Sequence, residues 1–220
     1  ICDVAQRLIK ELSLSRFAPV DFELKIGFDG DIPPYEVKAA NGKIVISGAV
    51  DRVDEAVINN EKYIRIVDYK SSGKDFALSD VIQGLNMQMF IYLFTLWQNG
   101  EKKYGKFTPA GVLYYPANSP LVSVERNKST EDIDAERQKK CRMNGIILND
   151  PDVITAMDES KSGLFVPATF KGGEFSGSLI GLAQFGKLKE KADSILIEMA
   201  DALHSGDIPA VPAMGNSYDK

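Results

Sequence analysis

The sequence predicts an α/β domain in which a mixed central sheet is flanked by helices. Its 220 residues are 44% hydrophobic and 26% charged, values typical of a globular chain with a proper core. Its segments follow the order helix, strand, hairpin, helix, strands, helices, which favours a mixed sheet over a doubly wound βαβ sheet. Neither G-x-G-x-x-G after a strand nor G-x-x-x-x-G-K-[ST] occurs, so nucleotide binding by either loop is not supported.

The first half of the chain carries the clearest sheet signals. Apolar residues at helical spacing predict a helix over the first dozen residues. Alternation over 20–28 predicts a strand whose apolar side chains face a core on one side, namely Phe22, Leu24, Ile26 and Phe28. The β-rich segments 43–57 and 62–69 flank a short polar break, and we expect them to form an antiparallel hairpin.

The second half is predicted to be richer in helices. A helix from Ser79 to about Gln98 is apolar around nearly its whole circumference, so it should be buried on several sides. Its polar interruptions indicate a buried helix and not a membrane span. The remaining predicted elements are strands at 111–115, 121–126 and 165–170, a charged solvated helix at 130–143, a short helix at 153–157 and a long amphipathic helix at 179–204.

Charge and cysteine usage narrow the class of protein. A formal net charge of −5 disfavours a basic DNA-coating protein, so any contact with nucleic acid must rest on a local patch or a bound metal. Two distant cysteines and one histidine disfavour a disulfide framework, a zinc site and any multi-histidine site. No charged-then-apolar leader opens the chain. We therefore expect a reducing, cytoplasmic compartment.

Two strand-like segments end on carboxylates that could hold a metal ion. Asp68 and Lys70 project to the same side of their strand because side chains alternate between faces. Asp51 lies opposite this pair if the hairpin register allows it, whereas a slip of one residue turns it away. The backbone carbonyl of Tyr69 is a third candidate ligand. Such oxygen donors suit Mg²⁺, with Mn²⁺ as a substitute, and Lys70 would orient an attacking water. The alternative to a metal site is that these charged residues are simply exposed to solvent at the ends of their strands.

The predicted central helix carries a polar pair on an otherwise apolar surface. Gln88 and Tyr92 stand four residues apart and therefore share one face. They either satisfy buried polar partners or reach toward the carboxylates and a DNA backbone. No residue is assigned to DNA binding from the sequence.

Three segments together resemble the signatures of RecB-type nucleases in the PD-(D/E)xK superfamily. They are 48–54 (GAVDRVD), 66–71 (IVDYKS) and 84–92 (GLNMQMFIY), with weaker likeness at 141–148 (CRMNGIIL) and 164–167 (LFVP). The resemblance implies a restriction-endonuclease-like fold over residues 1–220. It also implies that this domain is a piece of a longer helicase–nuclease subunit.

The resemblance also assigns roles to residues. It implies that Asp51 and Asp68 bind the metal, that Lys70 is catalytic and that Gln88 and Tyr92 lie beside the site. The implied activity is Mg²⁺-dependent exonucleolytic cleavage of single-stranded DNA in the bacterial cytoplasm, during processing of double-strand breaks for recombinational repair. A helicase-bearing partner subunit is implied, and no membrane. The alternatives are a catalytically silent nuclease-like module that binds DNA or a partner subunit, and a small-molecule enzyme that uses the same carboxylates.

Two departures from the family pattern limit this expectation. The family places a metal-binding histidine on a helix before the first strand, whereas the single histidine here is His204. Relatives also carry four cysteines for an iron–sulfur cluster, a pattern that Cys2 and Cys141 do not fit. We therefore expect no such cluster in this piece, and weaker metal binding or activity than in a longer protein that contains the histidine.

Overall fold

The computed structural model of the protein describes residues 2–71, 76–118, 122 and 129–207, and its centre is a six-stranded sheet. The strands of this sheet, in spatial order, are β1 (Ala18–Ile26), β4 (Gly48–Ile58), β5 (Glu61–Lys70), β6 (Thr108–Pro116), β7 (Asn144–Leu148) and β10 (Leu179–Ile180). Two separate hairpins are formed by β2 (Tyr35–Ala39) with β3 (Gly42–Ile46) and by β8 (Ala168–Lys171) with β9 (Glu174–Gly177).

The sheet is mixed, as the sequence predicts. β5 and β6 are parallel, as are β7 and β10, whereas the other neighbouring pairs are antiparallel. The antiparallel pairing of β4 with β5 confirms the predicted hairpin. The helices are α1 (Cys2–Ser13), α2 (Leu78–Ile82), α3 (Gln88–Asn99), α4 (Glu101–Tyr104), α5 (Thr130–Lys140), α6 (Pro151–Met157) and α7 (Leu182–Ser205).

The connection from β5 to β6 places α3 against the sheet. Parallel strands require a crossover connection, and this one contains α2, α3 and α4. Every residue of α3 from Met89 to Leu96 is buried, and the helix packs on β4, β5 and β6. The predicted burial of this helix on several sides is thereby confirmed. The described residues contain no helix that is both long and apolar enough to cross a membrane.

The predicted strand at 20–28 faces the core with only half of the expected residues. Leu24 and Ile26 are buried, but Phe22 is 63% exposed and Phe28 is 73% exposed. A register shift lies between Pro19 and Asp21, and Glu23 has a φ of +50°. The bulge and the left-handed Glu23 interrupt strict alternation around Phe22, whereas Phe28 lies in the turn after β1 ends at Ile26. The period-two pattern therefore misassigned both phenylalanines.

Two elements predicted as continuous are divided in the structure. The segment 43–57 is split between β3, which pairs with β2, and β4, which pairs with β1 and β5. The helix predicted from Ser79 to Gln98 is broken between α2 and α3, where Gly84 and Asn86 have φ values of +85° and +54°. Left-handed residues cannot continue a right-handed helix, so α3 begins at Gln88.

The C-terminal half agrees with the prediction in part. α5 is solvated as expected, α6 matches the short helix, β6 matches the strand at 111–115 and α7 covers most of the long helix. The predicted strand at 121–126 lies outside the described residues except for Val122. The weak strand at 165–170 is observed only from Ala168, and Leu179–Ile180 form β10 where helix was expected. The sequence reading also missed β2, β7 and β9. The assignment of residues 1–220 to one domain stays a prediction.

Candidate active site

The hairpin of β4 and β5 brings the two predicted metal ligands together. Arg52 pairs with Val67, and continuing this register by one residue places Asp51 opposite Asp68. Side chains opposite each other in an antiparallel pair have Cβ atoms roughly 5 Å apart. The carboxylate of Asp51 also accepts a 2.9 Å hydrogen bond from the backbone N–H of Tyr69. The slip of one residue that would turn Asp51 away does not occur.

Lys70 lies against Asp68, as the alternation of β5 predicts. Its Nζ is 2.7 Å from Oδ2 of Asp68, and the two side chains are 42% and 14% exposed. Burial raises the pKa of the Asp68 carboxyl above its ordinary value, Lys70 opposes this rise, and the Asp51 carboxylate adds to it. The buried Oδ2 is thus held by the Lys70 ammonium. A cation beside the two carboxylates would relieve their mutual repulsion.

An aromatic residue of β6 adjoins this pair. Tyr114 pairs with Asp68 in the parallel register, and Nζ of Lys70 lies 5.8 Å from the centroid of its ring. Burial, together with the nearby Asp68 carboxylate, raises the pKa of Tyr114 to about 12. The phenol is therefore neutral beside the site at physiological pH. The sequence reading did not single out Tyr114, because only the crossover topology brings β6 beside β5.

The polar pair on α3 is formed as predicted and reaches back to β4. Nε2 of Gln88 donates a 3.0 Å hydrogen bond to the hydroxyl of Tyr92. Gln88 is exposed at the start of α3, whereas Tyr92 is buried. The Tyr92 ring lies so close to Gly48 that a Cβ there would overlap its hydroxyl and stand 2.6 Å from its Cζ. The first and third segments of the signature are thus in direct contact.

A buried cluster of four charges lies on the opposite face of the same hairpin. We call it the charge quartet, and its members are Glu11, Arg52, Asp54 and Arg65, all with fully buried side chains. The carboxylate of Asp54 accepts a 2.8 Å hydrogen bond from each arginine. The carboxylate of Glu11, on α1, accepts hydrogen bonds of 3.3 Å from Arg52 and 2.5 Å from Arg65. The two negative and two positive charges neutralise each other within the cluster. This pairing opposes the free-energy cost of burying charged side chains.

The charge quartet is linked to the candidate site through one side chain. Arg52 donates a 3.1 Å hydrogen bond to the hydroxyl of Tyr69, whose backbone N–H binds Asp51. Burial alone lowers the pKa of Arg52, but the carboxylates of Asp54 and Glu11 outweigh this effect and raise it above its ordinary value. Sequence reasoning missed the quartet, although Arg52 and Asp54 stand inside the segment 48–54.

The donor set fits a hard divalent cation, although it is small. Within the described residues, no group of three or more His, Cys, Asp or Glu side chains could hold a metal ion. Mg²⁺ is commonly bound through one or two carboxylates and keeps several waters, which matches Asp51 and Asp68. The carbonyl of Tyr69 as a further ligand stays a prediction. His204 lies on α7 beside Gly42, the first residue of β3.

A comparison with protein families decides the identity of the fold. A model described as the PD-(D/E)XK nuclease superfamily matches residues 2–215. The chain belongs to this superfamily. The mixed sheet flanked by helices is accordingly the restriction-endonuclease-like fold that the three sequence segments imply.

Three curated relatives of this PD-(D/E)XK domain are each named as a subunit of an ATP-dependent helicase/deoxyribonuclease. The chain is 36% identical over 211 residues to the protein from Ruminiclostridium cellulolyticum, covering 93% of the chain and 18% of the relative. The protein of the same name from Clostridium novyi is 36% identical over 218 residues, covering 96% and 19%. That from Listeria innocua is 38% identical over 176 residues, covering 77% and 15%. The chain therefore spans less than a fifth of these relatives.

Proposed function

We propose that this domain hydrolyses phosphodiester bonds of DNA with the help of a divalent metal ion. One observation carries the proposal. Asp51 and Asp68 lie one residue beyond Arg52 and Val67, the last paired residues of β4 and β5, and the ammonium of Lys70 lies 2.7 Å from the Asp68 carboxylate. Two carboxylates and a lysine at the end of paired strands supply what metal-assisted attack of water on a phosphate requires.

Each residue has a definable task in this reaction. Asp51 and Asp68, with the carbonyl of Tyr69, would hold Mg²⁺ or Mn²⁺, which when bound draws charge from the phosphate and lowers the pKa of a water. The N–H of Tyr69 orients the Asp51 carboxylate. Lys70, partly exposed and close to Asp68, orients the attacking water and offsets the negative charge that develops on the phosphate. Gln88 and Tyr92 form the wall of α3 beside the site.

The setting of the reaction is inferred from the relatives. Their name joins a helicase to a deoxyribonuclease and designates one subunit of that assembly. We infer that the domain belongs to a bacterial helicase–nuclease subunit of the AddB type, with an AddA-like partner. In that setting it acts as an exodeoxyribonuclease on single-stranded DNA during double-strand break repair.

The test is cleavage of a labelled single-stranded oligonucleotide by the chain with Mg²⁺, with Mn²⁺ and with EDTA. We expect cleavage only with a metal, and a loss of about 100-fold or more in Lys70→Ala and Asp68→Ala. Lys43→Ala is the matched control, since Lys43 is an exposed lysine on β3 that pairs with Glu36 at 3.0 Å. Cleavage that persists in Lys70→Ala, or that is lost equally in Lys43→Ala, would contradict the proposal.

A second function is favoured by the small donor set. Since only two carboxylates meet in the described part of the site, a nuclease-like module that binds DNA or a partner without cutting is the competing proposal. The same assay separates the two. DNA binding without cleavage at any concentration of Mg²⁺ or Mn²⁺ would support the silent module.

A further inference from the structure

A cleft opens directly beside the candidate catalytic lysine. Its cavity volume is about 80 Å³, and it is open to solvent. Its lining consists of Lys70, Phe76, Ala77, Asn86, Gln88, Met89 and Tyr114. Lys70 therefore belongs both to this cleft and to the carboxylate pair, so a ligand bound at the carboxylates can extend into the cleft without a break.

The interior of the cleft is suited to a flat aromatic group. The rings of Phe76 and Tyr114 have centroids 6.1 Å apart and planes inclined by only 29°. Phe76 also stacks on Phe90 of α3, at 5.9 Å and 28°. Both Phe76 and Tyr114 are partly exposed, and both line the cleft. A separation of 6.1 Å is too small to enclose a further ring between the two, so a base would stack on the exposed part of the pair, which we call the platform.

The rim of the cleft is polar and includes a positive charge. The exposed Gln88 and the partly exposed Lys70 both line the cleft, and the Lys70 ammonium also contacts Asp68. In a nucleotide the phosphate is joined to a flat base through one sugar. Its charged and aromatic groups therefore follow the same order as Lys70 and the aromatic pair in the cleft. With the phosphate beside Asp68 and Lys70, the attached base is within reach of the platform.

The groove continues beyond Phe76 toward basic residues. A second cleft of about 350 Å³ is lined by both Phe76 and Arg142 and lies between β7 and the β8–β9 hairpin. A third shares Arg142 and is also lined by Lys139 of α5. Arg142 is exposed. The path from Lys70 to Arg142 thus passes an aromatic platform and ends at positive charge, although the chain as a whole carries −5.

We propose that the cleft beside Lys70 binds an unstacked nucleobase of a single DNA strand, whose backbone continues along the groove to Arg142. The proposal rests on the proposed nuclease function, because that function places a phosphate at Asp51 and Asp68. Stacking on aromatic side chains is the usual way in which proteins hold single strands without reading their sequence. A base held inside a duplex cannot reach such a platform, so the cleft selects single-stranded over double-stranded DNA.

Base insertion is tested by binding, so that the result does not depend on cleavage. A single-stranded oligothymidylate with one 2-aminopurine is titrated with the chain in EDTA and again in Ca²⁺. We expect binding to quench the fluorescence of the 2-aminopurine. In Phe76→Ala the affinity should be lower by about tenfold or more. Phe76→Trp should bind like the original chain. Phe170→Ala is the matched control, because Phe170 is 44% exposed on the β8–β9 hairpin and does not line this cleft.

The path of the backbone is tested by the salt dependence of the same binding. Removing one phosphate contact from a single-strand complex lowers the slope of log K against log salt by about 0.7. We expect this change in Arg142→Ala. Arg16→Ala is the control, since Arg16 is an exposed arginine bound to the carbonyl of Val57 at the far end of β4.

The outcomes separate this proposal from the nuclease proposal. Metal-dependent cleavage with unchanged binding and quenching in Phe76→Ala would overturn the base site and leave the nuclease intact. Quenching that depends on Phe76 in a chain that never cleaves would support the base site and overturn the nuclease. Equal affinity for an oligonucleotide with an abasic site in place of the 2-aminopurine would also overturn the base site.

Discussion

Gly48 shows how a single missing side chain joins two parts of the site. Its position on β4 lies three residues before Asp51, and the ring of Tyr92 occupies the space that a Cβ would need. Tyr92 in turn accepts the hydrogen bond of Gln88 at the start of α3. The glycine thus permits α3 to approach the strand that carries a candidate metal ligand.

We predict that Gly48→Ala displaces Tyr92 and lowers the free energy of unfolding by about 1–3 kcal/mol, as overpacking of a close contact does. Gly27→Ala is the matched control, because its Cβ would stand an ordinary 3.5 Å from Ser47 Oγ. Urea unfolding measures both. In a Tyr92→Leu background the cost of Gly48→Ala should shrink, and strict additivity of the two substitutions would contradict the contact.

The charge quartet acts at the scale of secondary-structure elements. Glu11 belongs to α1, Arg52 and Asp54 to β4, and Arg65 to β5. Their hydrogen bonds therefore tie one helix to two strands from beneath the candidate site. Burying four charges costs solvation free energy, and their pairing offsets this cost only in part, since Nη1 of Arg65 is buried without a hydrogen-bond partner among the described residues. The quartet therefore specifies how α1 docks more than it adds net stability.

We predict that Asp54→Asn and Glu11→Gln each lower the free energy of unfolding by about 3–5 kcal/mol, since either leaves a buried arginine incompletely paired. Glu36→Gln is the control, because Glu36 belongs to an exposed pair with Lys43, and its loss should cost below about 1 kcal/mol. Chemical denaturation of the three variants decides the matter. Equal, small losses would mean that the quartet is screened by water.

Parts of these elements were predictable from the sequence, and the reasons differ. The positions of Asp51, Asp68 and Lys70 followed from strand alternation and a short hairpin, which are local rules. Glu11 pairs with an arginine 41 residues away, and no local rule connects them. The exposure of Phe22 was missed because a bulge shifted the register, and the platform of Phe76 and Tyr114 exists only once the crossover is built.

At the scale of the whole molecule, tyrosines with raised pKa values set the response of stability to alkali. Burial is the main cause that raises the pKa of Tyr115 to about 12, and Tyr63 and Tyr114 are raised to about 12 as well. An unfolded tyrosine titrates near 10, so between pH 10 and 12 the unfolded chain binds fewer protons than the folded chain. Stability from these residues is complete below pH 10 and is lost as the pH rises toward 12.

We predict that the free energy of unfolding falls by up to about 1.4 kcal/mol per pH unit for each such tyrosine above pH 10. Tyr115→Phe should make the dependence shallower, since phenylalanine does not titrate. Urea titrations at pH 8, 9, 10 and 11 measure the slope. Parallel curves for Tyr115→Phe and the original chain would show that Tyr115 contributes nothing to it.

The assignment of the chain to one domain is also a prediction at this scale. α1 is tied to β4 and β5 through the charge quartet, and α7 packs on α3 and on the β2–β3 hairpin. We therefore expect one cooperative unfolding transition, with coincident far-ultraviolet and near-ultraviolet circular dichroism. Two separated transitions would divide the chain into independently folding parts.

The two faces of β4 have a consequence for how this domain can change in evolution. Asp51 is the proposed metal ligand on one face, while Arg52 and Asp54 belong to the charge quartet on the other. We therefore expect neighbouring codons to differ in the substitutions that they tolerate. A saturation library can be scored separately for protein abundance and for DNA cleavage. Substitutions at position 51 should preserve abundance and abolish cleavage. Substitutions at positions 52 and 54 should lower both scores. A single change at codon 51 would then remove cleavage and leave the domain folded.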